Sequence, residues 1–348
     1  MMGKKGLIIT NPCKKQMKEA MHYIKKKDKT VQCNVCPWNC VINEGKRGVC
    51  GVRENQEGKL IALVYGRPVS IAVDPIEKKP LFHFLPGTNI FSIGTVGCNP
   101  RCKHCQNWEI SQEKNIIGEE LMPEQVIEQA IANECQSIAY TYNEPTIFYE
   151  YVYDTARLAR KKGLKNVMVT NGYINKEPLE ELYPYIDAAN VDLKGFSEKF
   201  YSEITGTHIQ PVLDTIKRIS KTKTWMELTN LVIPTINDDL ENIREMSRWI
   251  IDNIGKDHPL HFSRFFPYYK LSHLPPTPPD TLTQARKTAI AEGLHHVYIG
   301  NLLTEDGENT RCPRCGELVI ERKGYAITKN KLVKGNCSCG QKIAGIWQ

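Results

Sequence analysis

The sequence predicts an α/β fold: a partial (β/α)6 barrel of the TIM type, with small N- and C-terminal cysteine-rich metal-binding modules. Three observations carry this. Between residues 86 and 300, short apolar runs alternate with stretches of helical period, the pattern of repeated β-α units around a parallel sheet. About six such units fall short of the eight that close a barrel, so the sheet is expected to stay open. Two sets of four cysteines flank this region, one within residues 33–50 and one within 312–339, at spacings that suit metals. The expected domains are therefore 1–85 (basic segment, four-cysteine module and β hairpin), a core over 86–300, and a zinc-ribbon-like module over 301–348.

Taken in order, Lys14 to Lys27 reads as a basic helix without chemistry of its own. Cys33, Cys36, Cys40 and Cys50 follow, with turns supplied by Pro37, Gly45 and Gly48. Four thiolates in so short a segment can close a tetrahedral zinc site or hold an iron–sulfur cluster, and the spacing admits both. Residues 59–73 read as two strands broken at Gly66-Arg67-Pro68. The polar run Asp74-Pro75-Ile76-Glu77-Lys78-Lys79-Pro80-Leu81 then leads into the core.

Core strands are expected at 90–96, 137–141, 166–170, 188–193, 225–233, 259–265 and 296–299. Helices are expected at 123–135, 145–162, 176–183, 211–221, 239–254 and 281–293. Pro123 and Asn237-Asp238-Asp239 mark helix starts, and Gly163 after a lysine-rich turn marks a stop. The proline-rich stretch 271–280 is a stiff connection. Cys312, Cys315, Cys337 and Cys339 complete the chain as a zinc site of structural type.

The bulk properties exclude several classes. No run approaches the ~18 consecutive apolar residues of a membrane span. The lysine-rich start offers only Leu7-Ile8-Ile9 as an apolar run, too short for a signal-peptide core, so a cytoplasmic location is the default expectation. A net charge of +7 spread over scattered lysines describes a solvated surface, and no nucleic-acid partner is expected. In a reducing compartment the 13 cysteines read as metal or redox groups rather than disulfides. Cys13 and Cys135 stand apart, and Cys135 reads as a small packing residue.

The remaining three thiols carry the chemistry. Cys98, Cys102 and Cys105 lie on one loop after the apolar run Ile90-Phe91-Ser92-Ile93, with Gly97 and Pro100 to curl the backbone. Three protein ligands leave a metal position open where four would close it. The Cys-x3-Cys-x2-Cys spacing resembles the signature of the radical S-adenosylmethionine (SAM) superfamily, and Gln106-Asn107-Trp108-Glu109 resembles activating enzymes of pyruvate formate-lyase type. The two cysteine modules, the run 74–81 and Phe84-Leu85-Pro86-Gly87 together resemble the radical enzymes of AmmeMemoRadiSam systems. The resemblance implies a [4Fe–4S] cluster on the three cysteines, with SAM chelating the open iron. It implies one-electron cleavage to a 5′-deoxyadenosyl radical, a low-potential electron donor of ferredoxin or flavodoxin type, an anaerobic setting and a possible protein substrate. The resemblance also leaves open radical modification of a small molecule or a protein side chain. A multi-zinc binding protein without catalysis is the contrasting class.

Ligands of such folds sit at the carboxyl ends of the strands. Asn143 and Glu144 follow the second strand, where the superfamily has Gly-Gly-Glu-Pro, and the resemblance places them at the amino group of SAM. A carboxylate suits an ammonium, although Glu144 capping the next helix is the plain alternative. By the same resemblance Thr170, Asn171, Asp192 and Lys194 border the ribose and the methionyl carboxylate, while Asp192–Lys194 as a structural ion pair is the alternative. His104 takes the slot of an aromatic that packs near adenine. No catalytic residue is named by the sequence. Related enzymes place a histidine near Phe266, and Tyr268, His261 and His273 are the groups available to replace it.

Overall fold

The computed structural model describes residues 18–348, so Cys13 and residues 14–17 of the expected basic helix lie outside the described residues. Seven parallel strands form the core sheet: β1 (Asn89–Gly94), β2 (Ser137–Tyr140), β3 (Lys165–Thr170), β4 (Ala188–Asp192), β5 (Trp225–Val232), β6 (Leu260–Arg264) and β7 (Val297–Gly300). Six helices alternate with them: α1 (Pro123–Ala132), α2 (Tyr149–Lys161), α3 (Lys176–Leu182), α4 (Ile209–Ile219), α5 (Leu240–Ile254) and α6 (Pro279–Ala291). The strands lie in chain order and the sheet has two free ends, so the barrel is partial. Asp239 caps α5 by accepting the Asn242 N–H at 3.1 Å, and α1 opens on Pro123.

Strand alternation separates two packing faces. Phe91, Ile138, Met168 and Leu228 belong to the large cluster that includes helix residues Val126, Val152 and Ile243. Ile90, Ala139, Val167 and Ala188 point the other way, into the barrel, and pack on Ile76, Leu81, Phe84 and Leu85. The interior residues of the strands are small, and the segment 76–85 fills the space they leave. Each fully buried large apolar side chain there contributes roughly 1.5–3 kcal/mol. A buried polar cluster inside the barrel centres on Glu227. Glu227 accepts the N–H groups of Phe82 (3.0 Å) and His83 (2.8 Å), the Trp225 indole N–H (3.0 Å), and a hydrogen bond from His261 Nε2 at 2.7 Å.

Two expectations for the N-terminal part are corrected. The described portion of the basic helix is extended chain: Tyr23–Lys25 pairs antiparallel with Val31–Cys33, setting Tyr23 opposite Cys33. Pairing with the cysteine module overrides a weak helix propensity. The two strands expected over 59–73 do not form a hairpin. Lys59–Ala62 pairs with Arg53–Gln56 and Lys18–Glu19, whereas Ser70–Pro75 runs antiparallel to β1 as the edge of the core sheet. Ser70–Pro75 alternates between half-buried and exposed positions up to the buried Asp74, as suits an edge.

The C-terminal module is a three-stranded sheet of Thr310–Arg311, Leu318–Lys323 and Ala326–Asn330. It docks on the segment that fills the barrel. Arg322 donates to the Phe82 carbonyl (2.7 Å), and His83 Nδ1 donates to the Ala344 carbonyl (2.6 Å). That bond fixes the imidazole tautomer, leaving Nε2 to accept from the Tyr298 hydroxyl at 2.5 Å.

Asp74 ties the edge strand to the rest. It accepts from Lys78 (2.8 Å), Lys79 (2.6 Å) and the Tyr142 hydroxyl (2.6 Å), and Lys79 also lies over the Tyr142 ring. Burial opposes ionisation of Asp74, but these three donors outweigh it and hold the carboxyl below its ordinary range. A depressed folded-state pKa stabilises above the unfolded carboxylate value of about 3.9 and is lost as pH falls. Asp74→Asn should therefore cost on the order of 3 kcal/mol at neutral pH by leaving Lys79 buried without its charge partner. Urea unfolding at neutral pH and again below about pH 3 should show that cost shrinking on the acid side.

Candidate active site

The loop after β1 is held from every direction. Gly97 sits at φ +87°, and a Cβ there would stand 2.6 Å from both the Cys50 carbonyl oxygen and a Val52 methyl. Only glycine meets both conditions. Asn143, just past β2, accepts the Thr95 N–H (3.1 Å) and donates to Thr95 Oγ1 (3.1 Å) and the Gly97 carbonyl (2.8 Å). Asn99 donates to the Tyr173 carbonyl (2.9 Å) and receives Asn171 Nδ2 (3.0 Å), while its own carbonyl takes the Trp38 indole N–H (3.0 Å). Arg101 donates to the Cys98 carbonyl at 2.7 Å and to the Val49 carbonyl. The Arg101 and Lys103 N–H groups bond to the carbonyls of Thr205 (2.8 Å) and Ile204 (2.9 Å).

On this loop Cys102 is buried, and Cys98 and Cys105 are half-buried. Among the described residues, the grouping of three or more metal-ligating atoms within 4.8 Å of one another is that of Cys312, Cys315, Cys337 and Cys339. The three loop thiols therefore stand too far apart to share a single ion, but a multi-iron cluster with one thiolate per iron needs such separation. Burial raises the Cys98 thiol well above its ordinary value, reinforced by Glu144 and the neighbouring thiols; burial likewise raises Cys102, to about 12. Thiols so disfavoured as anions need a metal's positive charge to ionise.

The other strand ends converge on the same place. Glu144 is fully buried and accepts the N–H groups of Thr146 (2.9 Å) and Asn171 (2.7 Å) and the Thr170 hydroxyl (2.8 Å). It thus caps the short 3-10 turn Pro145–Phe148, and burial raises its pKa. Lys194 pairs with Asp192 at 2.7 Å; burial works to lower its pKa, but Asp192 and Cys102 outweigh this and hold the ammonium above its ordinary value. His104 is buried beside Phe200 with Nδ1 unpartnered, and burial with Lys194 lowers it to about 3, so the ring is neutral at physiological pH.

Comparison with known proteins adds to this geometry. Residues 92–247 match the family model of the Radical SAM superfamily. An uncharacterized protein of Methanocaldococcus jannaschii is 49% identical over 94% of this chain and 99% of its own length. This chain belongs to the radical SAM superfamily. The pyruvate formate-lyase-activating enzyme of Clostridium pasteurianum is 25% identical over 45% of this chain and 67% of its own. A second M. jannaschii protein, named as a glycyl-radical enzyme activating enzyme, is 28% identical over 45% of this chain and 60% of its own. Members of the superfamily are enzymes, and membership implies SAM and a [4Fe–4S] cluster.

In this radical SAM protein the residues singled out by sequence divide into two kinds. Cys98, Cys102, Cys105, Glu144, His104, Asp192 and Lys194 lie near one another at the carboxyl ends of β1, β2 and β4, with Glu144 acting on Cys98 and Lys194 acting on Cys98, Cys102 and His104. Asn143, Thr170 and Asn171 instead spend most of their hydrogen bonds on chain partners: Asn143 on the cysteine loop, Thr170 on Glu144, and Asn171 on Asn99 and the Tyr173 N–H (2.8 Å). His261 is bonded to Glu227 at the opposite end of the barrel, so it does not stand in for the histidine expected near Phe266. Asn99 and Arg101 were not foreseen, since a loop Asn or Arg carries no periodic signal. The first cysteine module lies against the site, whereas the C-terminal module sits at the far end. No helix among the described residues is long and apolar enough to cross a membrane.

Gly97→Ala should force the loop away from Cys50 and lower iron incorporation several-fold, while leaving far-UV circular dichroism close to wild type. Asn143→Ala should do the same more mildly, at about 1–3 kcal/mol of loop stability, because the donors and acceptors it leaves buried lose their partners. Iron per chain after anaerobic reconstitution reads both effects.

Proposed function

We propose that this chain is a radical SAM enzyme that reductively cleaves S-adenosylmethionine, in the manner of glycyl-radical-enzyme activating enzymes, with Cys98, Cys102 and Cys105 holding the [4Fe–4S] cluster. The observation that carries the reading is the set of three thiols on one loop, Cys102 buried and Cys98 and Cys105 half-buried, outside any single-ion grouping and with Glu144 and Lys194 close enough to act on Cys98. When bound, the cluster supplies the single electron and the open iron that the sulfonium cleavage requires. The donor set fits that group, since three thiolates leave one iron free and no fourth cysteine lies on the loop.

The chain's residues contribute orientation and electrostatics. Glu144, already braced by Thr170 and the Asn171 N–H, retains lone pairs to accept from an ammonium group. Lys194 offers a positive charge for a carboxylate, and Asp192 keeps it in place. Neutral His104 presents an apolar face and one unpaired nitrogen to an adenine-sized group. The Asn143 and Asn99 braces keep the thiols fixed while water is excluded from the buried rim. A low-potential ferredoxin or flavodoxin is the expected electron source, and a protein the expected substrate, by likeness to the activating enzymes.

The C-terminal cysteines take a different metal in this reading. Their sulfurs approach to 3.6 Å (Cys312–Cys339) and 3.7 Å (Cys315–Cys337). Zn–S bonds of about 2.3 Å at tetrahedral angles place sulfurs about 3.8 Å apart. We assign one structural zinc there, far from the rim.

Anaerobic reconstitution tests the enzyme reading. The protein should turn brown and release 5′-deoxyadenosine from SAM after reduction, with both the product and the rim cluster lost in Cys98→Ala. A reconstituted protein that holds only zinc and forms no 5′-deoxyadenosine would sink the proposal. Metal analysis should also find about one zinc per chain that survives in Cys98→Ala and disappears in Cys337→Ser.

A further inference from the structure

The first cysteine module differs from the C-terminal one in a way that bears on its metal. Cys33, Cys36, Cys40 and Cys50 do not bring three sulfurs within 4.8 Å of one another, as the four C-terminal cysteines do. Instead all four line one partly open pocket. A single tetrahedral ion would need the sulfurs about 3.8 Å apart, with no such space between them. In their spread, these four thiols behave as the three thiols of the rim do.

The same cavity is lined by polar groups that lack partners. Arg53 is buried to 2% exposure, and one of its nitrogens bonds Glu150 at 2.7 Å. Its Nε and Nη1 have no hydrogen-bond partner, although Arg53 lines the cavity. Buried guanidinium nitrogens are rarely left unpaired. A zinc site offers them only the four thiolate sulfurs as acceptors. An anionic cluster with bridging sulfides offers several more acceptors.

Position supplies a third argument. The Cys50 carbonyl abuts Gly97, the residue before Cys98, and the Trp38 indole bonds the Asn99 carbonyl at 3.0 Å. Asn175, which precedes α3, donates from its side chain to the carbonyls of Asn34 (2.8 Å) and Cys36 (3.1 Å). The module is therefore packed against the rim loop.

We propose that Cys33, Cys36, Cys40 and Cys50 hold a second [4Fe–4S] cluster, to which the free guanidinium nitrogens of Arg53 donate hydrogen bonds. Four thiolates saturate its four irons, so it has no open position and does not bind SAM. Hydrogen bonds to the cluster sulfurs raise its reduction potential. It can take up one electron and pass one on, and its neighbour across the Cys50–Gly97 contact is the rim site.

The test uses the full chain carrying Cys98→Ala, Cys102→Ala and Cys105→Ala, reconstituted anaerobically with iron and sulfide. About four iron and four sulfide per chain should remain, with the visible absorption of a cluster. Zinc without sulfide in this variant overturns the proposal, whether or not the wild-type rim cleaves SAM. Should the triple variant not fold, replacing Cys33, Cys36, Cys40 and Cys50 together by Ala in an otherwise intact chain gives the same answer. Its iron should fall by about four atoms per chain relative to wild type, and unchanged iron overturns the proposal. Arg53→Lys in the triple background keeps the charge but loses the planar donors. Its iron content should hold while the midpoint potential moves negative, and an unmoved potential overturns the role of Arg53.

Discussion

A loop that presents three thiols to a cluster must bury them, keep them apart, and hold its own backbone still without any regular structure to do so. Here the restraint is the close contact between Gly97 and the backbone at Cys50, where no side chain fits. Asn143 and Asn99 complete it from the barrel side, converting two short polar side chains into substitutes for missing backbone partners. Much of the surrounding architecture serves that contact. β1 delivers the loop, β2 delivers Asn143, and the N-terminal module supplies the wall against which the loop is pressed.

The three cysteine groups are similar in composition and differ in what surrounds them. The C-terminal four converge on one point in a small sheet docked beneath the barrel, where Arg322 and His83 bind it to the segment that fills the interior. The rim three are spread among charged strand-end residues. The first four are spread around a cavity with an unsatisfied guanidinium. Ligand count alone does not separate these cases; sulfur spacing and unpaired donors do.

The core strands and helices were legible because β-α alternation with full burial leaves a strong apolar signal, and the observed ends fall within four residues of those expected, the largest difference being at Tyr149, where the Pro145–Phe148 3-10 turn precedes the helix. The N-terminal part was less legible. The lysine run Lys25-Lys26-Lys27 favours a helix, yet Tyr23–Lys25 is a strand because Val31–Cys33 offers it a partner, a fact that no local pattern contains. Ser70–Pro75 joins the core sheet for a related reason: its neighbour in space is β1, not the strand before it in sequence. Within the site, the cysteine loop was readable from spacing, and Glu144 only through the family resemblance. Arg53 was not, since a single arginine in a run of polar residues has no signal until its burial is seen. Glu144 caps the Pro145–Phe148 turn, the plain alternative, and its charge also acts on the Cys98 thiol.

The central claim is that the loop thiols leave one iron of a cluster open to S-adenosylmethionine. Electron paramagnetic resonance of the reduced protein, with and without S-adenosylmethionine, tests it most directly. The spectrum should change on addition in wild type and in a variant lacking Cys33, Cys36, Cys40 and Cys50, and should not change where Cys98, Cys102 and Cys105 are replaced. A wild-type cluster signal that S-adenosylmethionine leaves unaltered would contradict the account.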